Sequence, residues 1–452
     1  MSAVLFLLPF LFSFLLGRGN AQCTPQGSLS FRSPVTVAQG LSATVISANL
    51  TTPRGITIDS LGNILVIERG LGVTAFTDHD TTCDGWLRSV VVQNPSLTQG
   101  IQVHDNFLYV STSGEVLRYT YNPEGRNISG PPVTLINNIP PDGELTTRPI
   151  LLHPPEHPSI ILVSSALAEN IDPTARDPSS GRSQIRAFNF SSATTPAVQN
   201  FFSGSLVAFG IRNPAGFAFL PPQSFDSLWV VDNGASIDNV TGLTSAFVND
   251  NPADELNLVK TPLFNNSSRN LFYGFPDCTT LWNPLADPVG DPQFTHLRTG
   301  AQFSLNLEPD RNDSWCVSSQ NNVRPRLSFQ AHSVPLDLKF YFPKLSPKRS
   351  NEQSTSSKFS RDWIGDAFVT FHGSFNRVPP TGYGVVRVPF SNSHPTANRF
   401  SNAGYTFLIQ ATNLTSCPGT CIRPVGIVFS EQGDKLFVTS DSSGELFVLS
   451  SE

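Results

Sequence analysis

A phrase of two short β-type runs recurs six times between Pro53 and the C-terminus. Each copy opens on a turn, passes through a few apolar residues, breaks at polar ones and resumes in a second run. The copies begin PRGITIDSLGNILVIERG at Pro53, TQGIQVHDNFLYVSTSGE at Thr98, TRPILLHPPEHPSIILVSS at Thr147 and NPAGFAFLPPQSFDSLWVVDNG at Asn213. The fifth starts as VPLDLKFYF at Val334 and resumes at GDAFVTFHGSFN, and the sixth, from Arg423, ends the sequence. Tandem strand repeats without helices predict stacked blades, so six copies predict an all-β, six-bladed β-propeller. Second runs such as residues 63–68 and 227–231 are almost wholly apolar, which predicts strands covered on both faces. The 37 prolines and 32 glycines argue against long helices. A propeller gathers its functional loops around one axis.

Residues 1–21 are predicted to be a signal peptide. The apolar stretch of residues 4–16 is too short to span a membrane, and Asn20-Ala21 ends in small residues suited to cleavage. The remainder, residues 22–452, is expected as one extracellular, secreted propeller. A net charge of −6 without a basic run excludes nucleic acid and anionic membranes as natural partners. Six cysteines with no CxxC pair suit an oxidising compartment better than zinc. Proximity suggests Cys417–Cys421, Cys278–Cys316 and Cys23–Cys83 as disulfides among fifteen possible pairings. Eight Asn-x-Ser/Thr sites, at Asn49, Asn127, Asn189, Asn239, Asn265, Asn266, Asn312 and Asn413, predict a glycoprotein. The polar stretch of residues 344–361 reads as a surface insertion in the fifth repeat.

Of 29 basic residues only six are lysine. Arginine offers carboxylates a rigid fork where lysine offers a point charge. Arg54, Arg148, Arg212 and Arg423 stand where a blade begins, and Arg377 lies in the loop after a fifth-blade strand. Equivalent positions of successive blades converge on one end of the axis, which predicts a ring of guanidinium groups suited to a small polyanion. The alternative is local pairing with acids such as Glu68 or Asp337. His332 and His372 lie in Gly/Ser/Pro-broken loops beside this set. Residues 232–238 (DNGASID) read either as oxygen ligands for a hard cation such as calcium or as a plain turn. Residues 166–200 and 240–330 lack blade character and are expected as long connections that wall a site. GxGxxG after a strand, P-loop, HExxH and GxSxG motifs are absent.

The segments DPSSGRSQIRAF, GIRNPAGFAF, DNPADELN, YGFPDC, FQAHSVPLDLKF, VTFHGSFNRVPPTGYG and CIRPVGIVFSEQGDKLFVTSDSSGELFVL resemble the fungal soluble quinoproteins. These are the pyrroloquinoline quinone (PQQ)-dependent pyranose dehydrogenases and their L-sorbosone and glucose dehydrogenase relatives. The resemblance implies a six-bladed propeller and a cofactor with three carboxylates and an ortho-quinone. It implies cofactor contacts from Arg212 and Asn213 (IRNP), His332 (QAHS), Arg377 (HGSFNR), Arg423 (IRPVG) and Arg54 (PRGI). It also implies a calcium ion near Asn233, Gly234 and Ala235, an aldose or pyranose substrate, and an external electron acceptor such as a cytochrome. Relatives typically carry a His in a Gly-His-x-Thr-Arg-like motif opening the third blade. Here the segment is Asp142-Gly-Glu-Leu-Thr-Thr-Arg148, with Leu145 aligned and Glu144 beside it as the candidate base. Gln99 stands where relatives often carry a second His. The reading is a secreted PQQ- and calcium-dependent sugar dehydrogenase. The alternative is a catalytically impaired propeller that binds carbohydrate or a partner protein.

Overall fold

The computed structural model describes residues 29–78, 85–190, 196–221, 224–260, 270–343 and 359–452. The signal segment, Cys23, Cys83, Asn265, Asn266 and most of the 344–361 insertion lie outside these residues. Six sheets, antiparallel except for one short edge strand, form six blades, as the repeat count predicts. Counted from the axis outward, blade 1 runs Pro53–Ile58, Ile64–Glu68, Gly72–Asp78 and Trp86–Gln93. Blade 2 runs Leu97–His104, Phe107–Thr112, Val116–Asn122 and Asn127–Asn137, with Gln199–Asn200 added at its edge. Blade 3 comprises Ile150–His153, Ile160–Ser165, Gln184–Asn189 and Ser205–Phe209. Blade 4 comprises Gly216–Leu220, Ser224–Asp232, Asp254–Lys260 and Leu327–Phe329.

Blades 5 and 6 each borrow an outer strand from the N-terminal segment. Val35–Val37 joins Pro335–Phe340, Ala367–Phe371, Gly384–Val388 and Thr406–Ala411 in blade 5. Leu41–Ser47 joins Pro424–Phe429, Lys435–Ser440 and Glu445–Ser451 in blade 6. Segments about four hundred residues apart are thereby hydrogen-bonded into the same sheet.

The apolar runs have the expected cause. In Ile64–Glu68, Ile64 and Val66 pack toward blade 6 with Phe437 and Leu446, while Leu65 and Ile67 pack toward blade 2 with Leu108 and Val110. In blade 4, Leu228 and Val230 face blade 3, and Trp229 and Val231 face blade 5. Successive side chains of a strand point to opposite faces, and here both faces are interior. Each blade interface thus holds its own apolar cluster.

The axis is held by polar stitching. In five of the six blades, among the described residues, a side chain at or just past the inner end of the second strand donates to a backbone carbonyl that opens the next blade. Ser111 Oγ donates to Arg148 O (2.6 Å), Ser164 Oγ to Pro214 O (3.0 Å) and Asn233 Nδ2 to Pro335 O (3.2 Å). Thr370 Oγ1 donates to Val425 O (2.8 Å), and Thr439 Oγ1 to Arg54 O (2.5 Å). Gly55, Gly100, Gly216 and Gly426 sit in the inner strands where a Cβ would collide with backbone atoms of the neighbouring inner strand. The repeated Gly-Ile/Phe of PRGI, TQGI, PAGF and PVGI is the sequence trace of that close approach.

The expectation that residues 166–200 and 240–330 lack blade strands is corrected. The first holds Gln184–Asn189, and the second holds Asp254–Lys260 and Leu327–Phe329. Their charged residues disguise them. Arg186 is buried because its guanidinium donates to Gln184 Oε1 and to the carbonyls of Pro178, Phe202 and Gly204. The disulfides Cys278–Cys316 and Cys417–Cys421 are present as expected.

Thr439 Oγ1 also accepts the Gly426 amide (2.9 Å). Thr439→Val keeps the shape but leaves Arg54 O and Gly426 N without that partner, and is expected to cost about 1–3 kcal/mol. Thr439→Ser retains both bonds and should lie closer to wild type. Urea midpoints measure this, and a valine variant as stable as wild type rejects the stitching as a source of stability.

Candidate functional site

The residues that open blades 1, 2, 4 and 6 meet at one end of the axis. Register shifts in the inner strands, between Pro53 and Ile56, Leu97 and Ile101, and Pro424 and Ile427, bulge the backbone there. A bulge re-aims side chains, and Arg54 and Gln99 lie on two of them. Arg54 Nη2 donates to Gln99 Oε1 (2.7 Å) and Nη1 to Asp441 Oδ2 (2.6 Å). Gln99 Nε2 reaches across to Ala215 O of blade 4 (2.9 Å). His372 Nε2 lies 2.8 Å from Asp441 Oδ1, so Asp441 is shared by blade 5 and blade 1 partners. Burial raises the Asp441 carboxyl, but His372 and Arg54 outweigh it and hold it well below the usual carboxylate range. The ring therefore includes an acid after all, but it is Asp441. Glu68 instead pairs with Arg88, and Asp337 with Lys339.

Arg212 is buried, and its guanidinium meets neutral oxygens. Nε and Nη2 donate to Asn170 O (3.1 Å) and Oδ1 (2.9 Å), and Nη1 faces Asn233 O (3.4 Å) and Oδ1 (3.3 Å). The nearby Asp232 carboxylate is occupied elsewhere, accepting the amides of Arg212 (2.9 Å) and Asn213 (2.7 Å). Burial, with Glu255 adding, raises Asp232 to about 8. Burial likewise raises Asp254 to about 7 while its oxygens accept Gly234 N (2.7 Å) and Val334 N (2.6 Å). Those bonds tie the DNGASID turn to the turn around His332, where His332 (φ 64) and Val334 (φ 55) adopt the left-handed region. A β-branched residue there is strained and needs such a clamp. Arg423 donates to the carbonyls of His372 (3.1 Å) and Gly373 (2.6 Å) and lies over the Tyr383 ring. Burial depresses the pKa of both Arg212 and Arg423, as a guanidinium without a bound carboxylate requires.

The other sequence candidates fall around this centre. Asn213 Nδ2 donates to Asn233 Oδ1 (3.1 Å). Gly234 and Ala235 follow in the same turn, and Ala235 belongs to the apolar cluster behind it. His332 Nε2 donates to Val248 O (3.0 Å), which leaves Nδ1 as its free acceptor. Arg377 is pinned by Asp250 Oδ1 (Nη2, 2.6 Å). Glu144 is exposed at the rim, its amide anchored to Ala168 O (2.7 Å), and its charge is felt by Arg212. Leu145 turns into the apolar cluster with Ala235 and Leu167. Arg148 is the exception: it is fully buried and donates to the carbonyls of Ser113, Pro140, Leu145 and Thr147, fastening the loop that carries Glu144. Asn170, Val248 and Asp250 come from the two long connections, which do wall the site. Asp441 and Asn170 were missed. The signal for Asp441 is a polar residue just past a blade's second strand, the place that Asn233 holds in blade 4.

His372 is lowered by burial against the pull of Asp441. With both pKa values below their ordinary ones, the unfolded chain binds more protons in acid. The stability these groups confer is full at neutral pH. It falls as pH drops below about 6.5 and again below about 3.9. Asp441→Asn should flatten the second decline in unfolding free energy measured from pH 7 to 3; parallel profiles reject the linkage.

Residues 35–452 match the TrAA12-like family. A PQQ-dependent sugar dehydrogenase of Hypocrea jecorina is 35% identical over 98% of this chain and 96% of its own length. A PQQ-dependent pyranose dehydrogenase of Coprinopsis cinerea is 30% identical over 92% of this chain, which spans 55% of that protein. The calcium structure of the Trichoderma reesei Carbohydrate-Active Enzymes Family AA12 protein superposes with a TM-score of 0.80 at 32% identity, covering 94% of this chain and 100% of that one. The holo PQQ domain of the Coprinopsis cinerea enzyme gives 0.78 at 29% identity, covering 94% and 99%. The six-bladed fold, the axial arginines and these matches together place the chain in the TrAA12-like family of PQQ-dependent sugar dehydrogenases.

Proposed function

We propose that this protein is a secreted dehydrogenase that oxidises an aldose or pyranose, with PQQ held by the axial arginines and calcium beside it. The observation that carries the reading is charge. Arg212 is buried and Arg423 half-buried, both with neutral oxygens as their hydrogen-bond partners, while Arg54, paired through Nη1 with Asp441, keeps a buried Nε with no partner. Uncompensated buried cations are costly, and a tricarboxylate supplies what they lack. Arg54, Arg212, Asn213 and Arg423 would hold the cofactor, with His332 and Arg377 on the surrounding wall. When bound, PQQ supplies a two-electron ortho-quinone acceptor.

Asn233 O and Oδ1 converge near one guanidinium nitrogen. An oxygen-only donor set suits calcium. Among the described residues no cluster of three His, Cys, Asp or Glu could hold a metal alone, so backbone oxygens of residues 233–235 carry the proposal. The relative solved in a calcium form supports it.

Glu144 takes the sugar hydroxyl proton. Its position on the loop fastened by Arg148, within the electrostatic reach of Arg212, supports this role. Two electrons per turnover then leave to an external acceptor such as a cytochrome. A second reading, binding without turnover, rests on Leu145, whose side chain is committed to the apolar cluster and has no titratable group.

Titration with PQQ, with and without calcium, followed by tryptophan fluorescence and dye reduction over a panel of aldoses tests the reading. Calcium-dependent binding with turnover is expected. Arg423→Ala should weaken PQQ at least about tenfold, the loss of one charge-assisted contact, with the urea midpoint little changed. Glu144→Gln should keep PQQ affinity but lower kcat about 10²-fold or more. Unchanged kcat rejects Glu144 as base, PQQ binding without turnover favours the second reading, and no binding sinks both.

A further inference from the structure

A second concentration of arginine lies at the rim of the propeller, away from the axis. A groove of about 700 Å³ opens between the segment before the outermost strand of blade 4 and the segment before the fourth strand of blade 5. Arg324 and Arg326 line it from one side, and Arg399 and Phe400 from the other. Arg298 stacks on the same Phe400, its guanidinium carbon 3.4 Å from the ring centroid, and Arg399 does so at 4.5 Å. The ring thus carries two guanidinium groups on one side chain.

Among the described residues none of these four guanidinium groups makes an ion pair or a hydrogen bond. Arg324 Nε is buried without a partner. Burial and then the charges of Arg324, Arg298 and Arg326 depress the pKa of Arg399. In a chain of net charge −6 with 35 acidic residues, four arginines close enough that three depress the fourth stand here without an acid, Arg324 and Arg399 half-buried and Arg298 and Arg326 exposed. A solvated surface patch would leave each guanidinium in water. Here one nitrogen is closed off and two groups are fixed on an aromatic ring, so their directions are set before any ligand arrives. Pro395 and Ala397 add a short apolar wall. The volume falls within the range of small-molecule sites, about 300–1,000 Å³.

We propose that this groove is a second, non-axial binding site for a small anion carrying two or more carboxylate or phosphate groups. Arginine forks bind both groups in the same two-pronged way, so the chemistry is shared and the source is settled by experiment. The site stands independently of the function assigned to the axis.

Isothermal titration calorimetry of the full protein with citrate, and separately with inorganic pyrophosphate, tests it. At low ionic strength, binding with a Kd below about 1 mM is expected for at least one of them, weakening at about 0.15 M salt. Arg324→Gln with Arg399→Gln should weaken it at least about tenfold, as loss of two forked contacts implies. Arg423→Ala at the axis should leave it unchanged. Citrate binding alone assigns a carboxylate ligand, and pyrophosphate binding alone a phosphate ligand. Should the double variant fail to fold, the exposed Arg326→Gln provides the same reading. Absence of binding by both anions, or equal binding by wild type and groove variants, overturns the proposal.

Discussion

The bond from one blade's second strand to the carbonyl that opens the next blade is the constraint on which this molecule depends. The carbonyls it fixes are those of Arg54, Arg148, Pro214, Pro335 and Val425. Two of these belong to arginines, and a third arginine, Arg212, has its carbonyl held by Ser183 Oγ (3.0 Å). Stability and function therefore share atoms. The bond that joins blade 6 to blade 1 also fixes the backbone from which Arg54 projects. The glycines of the inner strands serve the same end, because without them the strands could not come close enough for the bonds to form.

The chemistry of the axial site follows from how its charges are distributed. Asp232 and Asp254 are buried beside Arg212 and could have neutralised it. Their oxygens accept backbone amides instead, at Arg212, Asn213, Gly234 and Val334. The carboxylates thus shape the turns and the guanidinium stays available. At the other side of the ring, Asp441 takes Arg54 and His372 together, which orients both without consuming Arg423. Buried acids that build loops and buried bases that await a ligand are two uses of the same charged residue types within one small volume.

Much of the fold was legible because it is repetitive. Apolar runs with a period of two on both faces have few explanations, and six copies leave fewer. The strands that escaped notice were those carrying Arg186, Asp254 and Glu255, whose partners lie in the surrounding loops rather than in the repeat. The same limit applied to the site. Arg54, Arg212 and Arg423 could be found because they recur at one phase of the repeat. Arg148 shares that phase but spends its donors on local carbonyls, a distinction set by the loop of residues 140–147 and invisible in spacing. Asp441 and Asn170 became meaningful only when their arginine partners were placed beside them.

The strand Leu41–Ser47 pairs with Glu445–Ser451, residues about four hundred positions later. A growing chain makes this strand long before its partner. Until that partner is made its edge has no neighbour, and unpaired edges invite pairing with other chains. Blades 5 and 6 thus both wait for strands made long after the N-terminal strands they pair with. Closure of the ring rests on this long-range pairing, which is intrinsically slow. The geometry that makes the finished ring hard to open also makes its assembly the step most exposed to error.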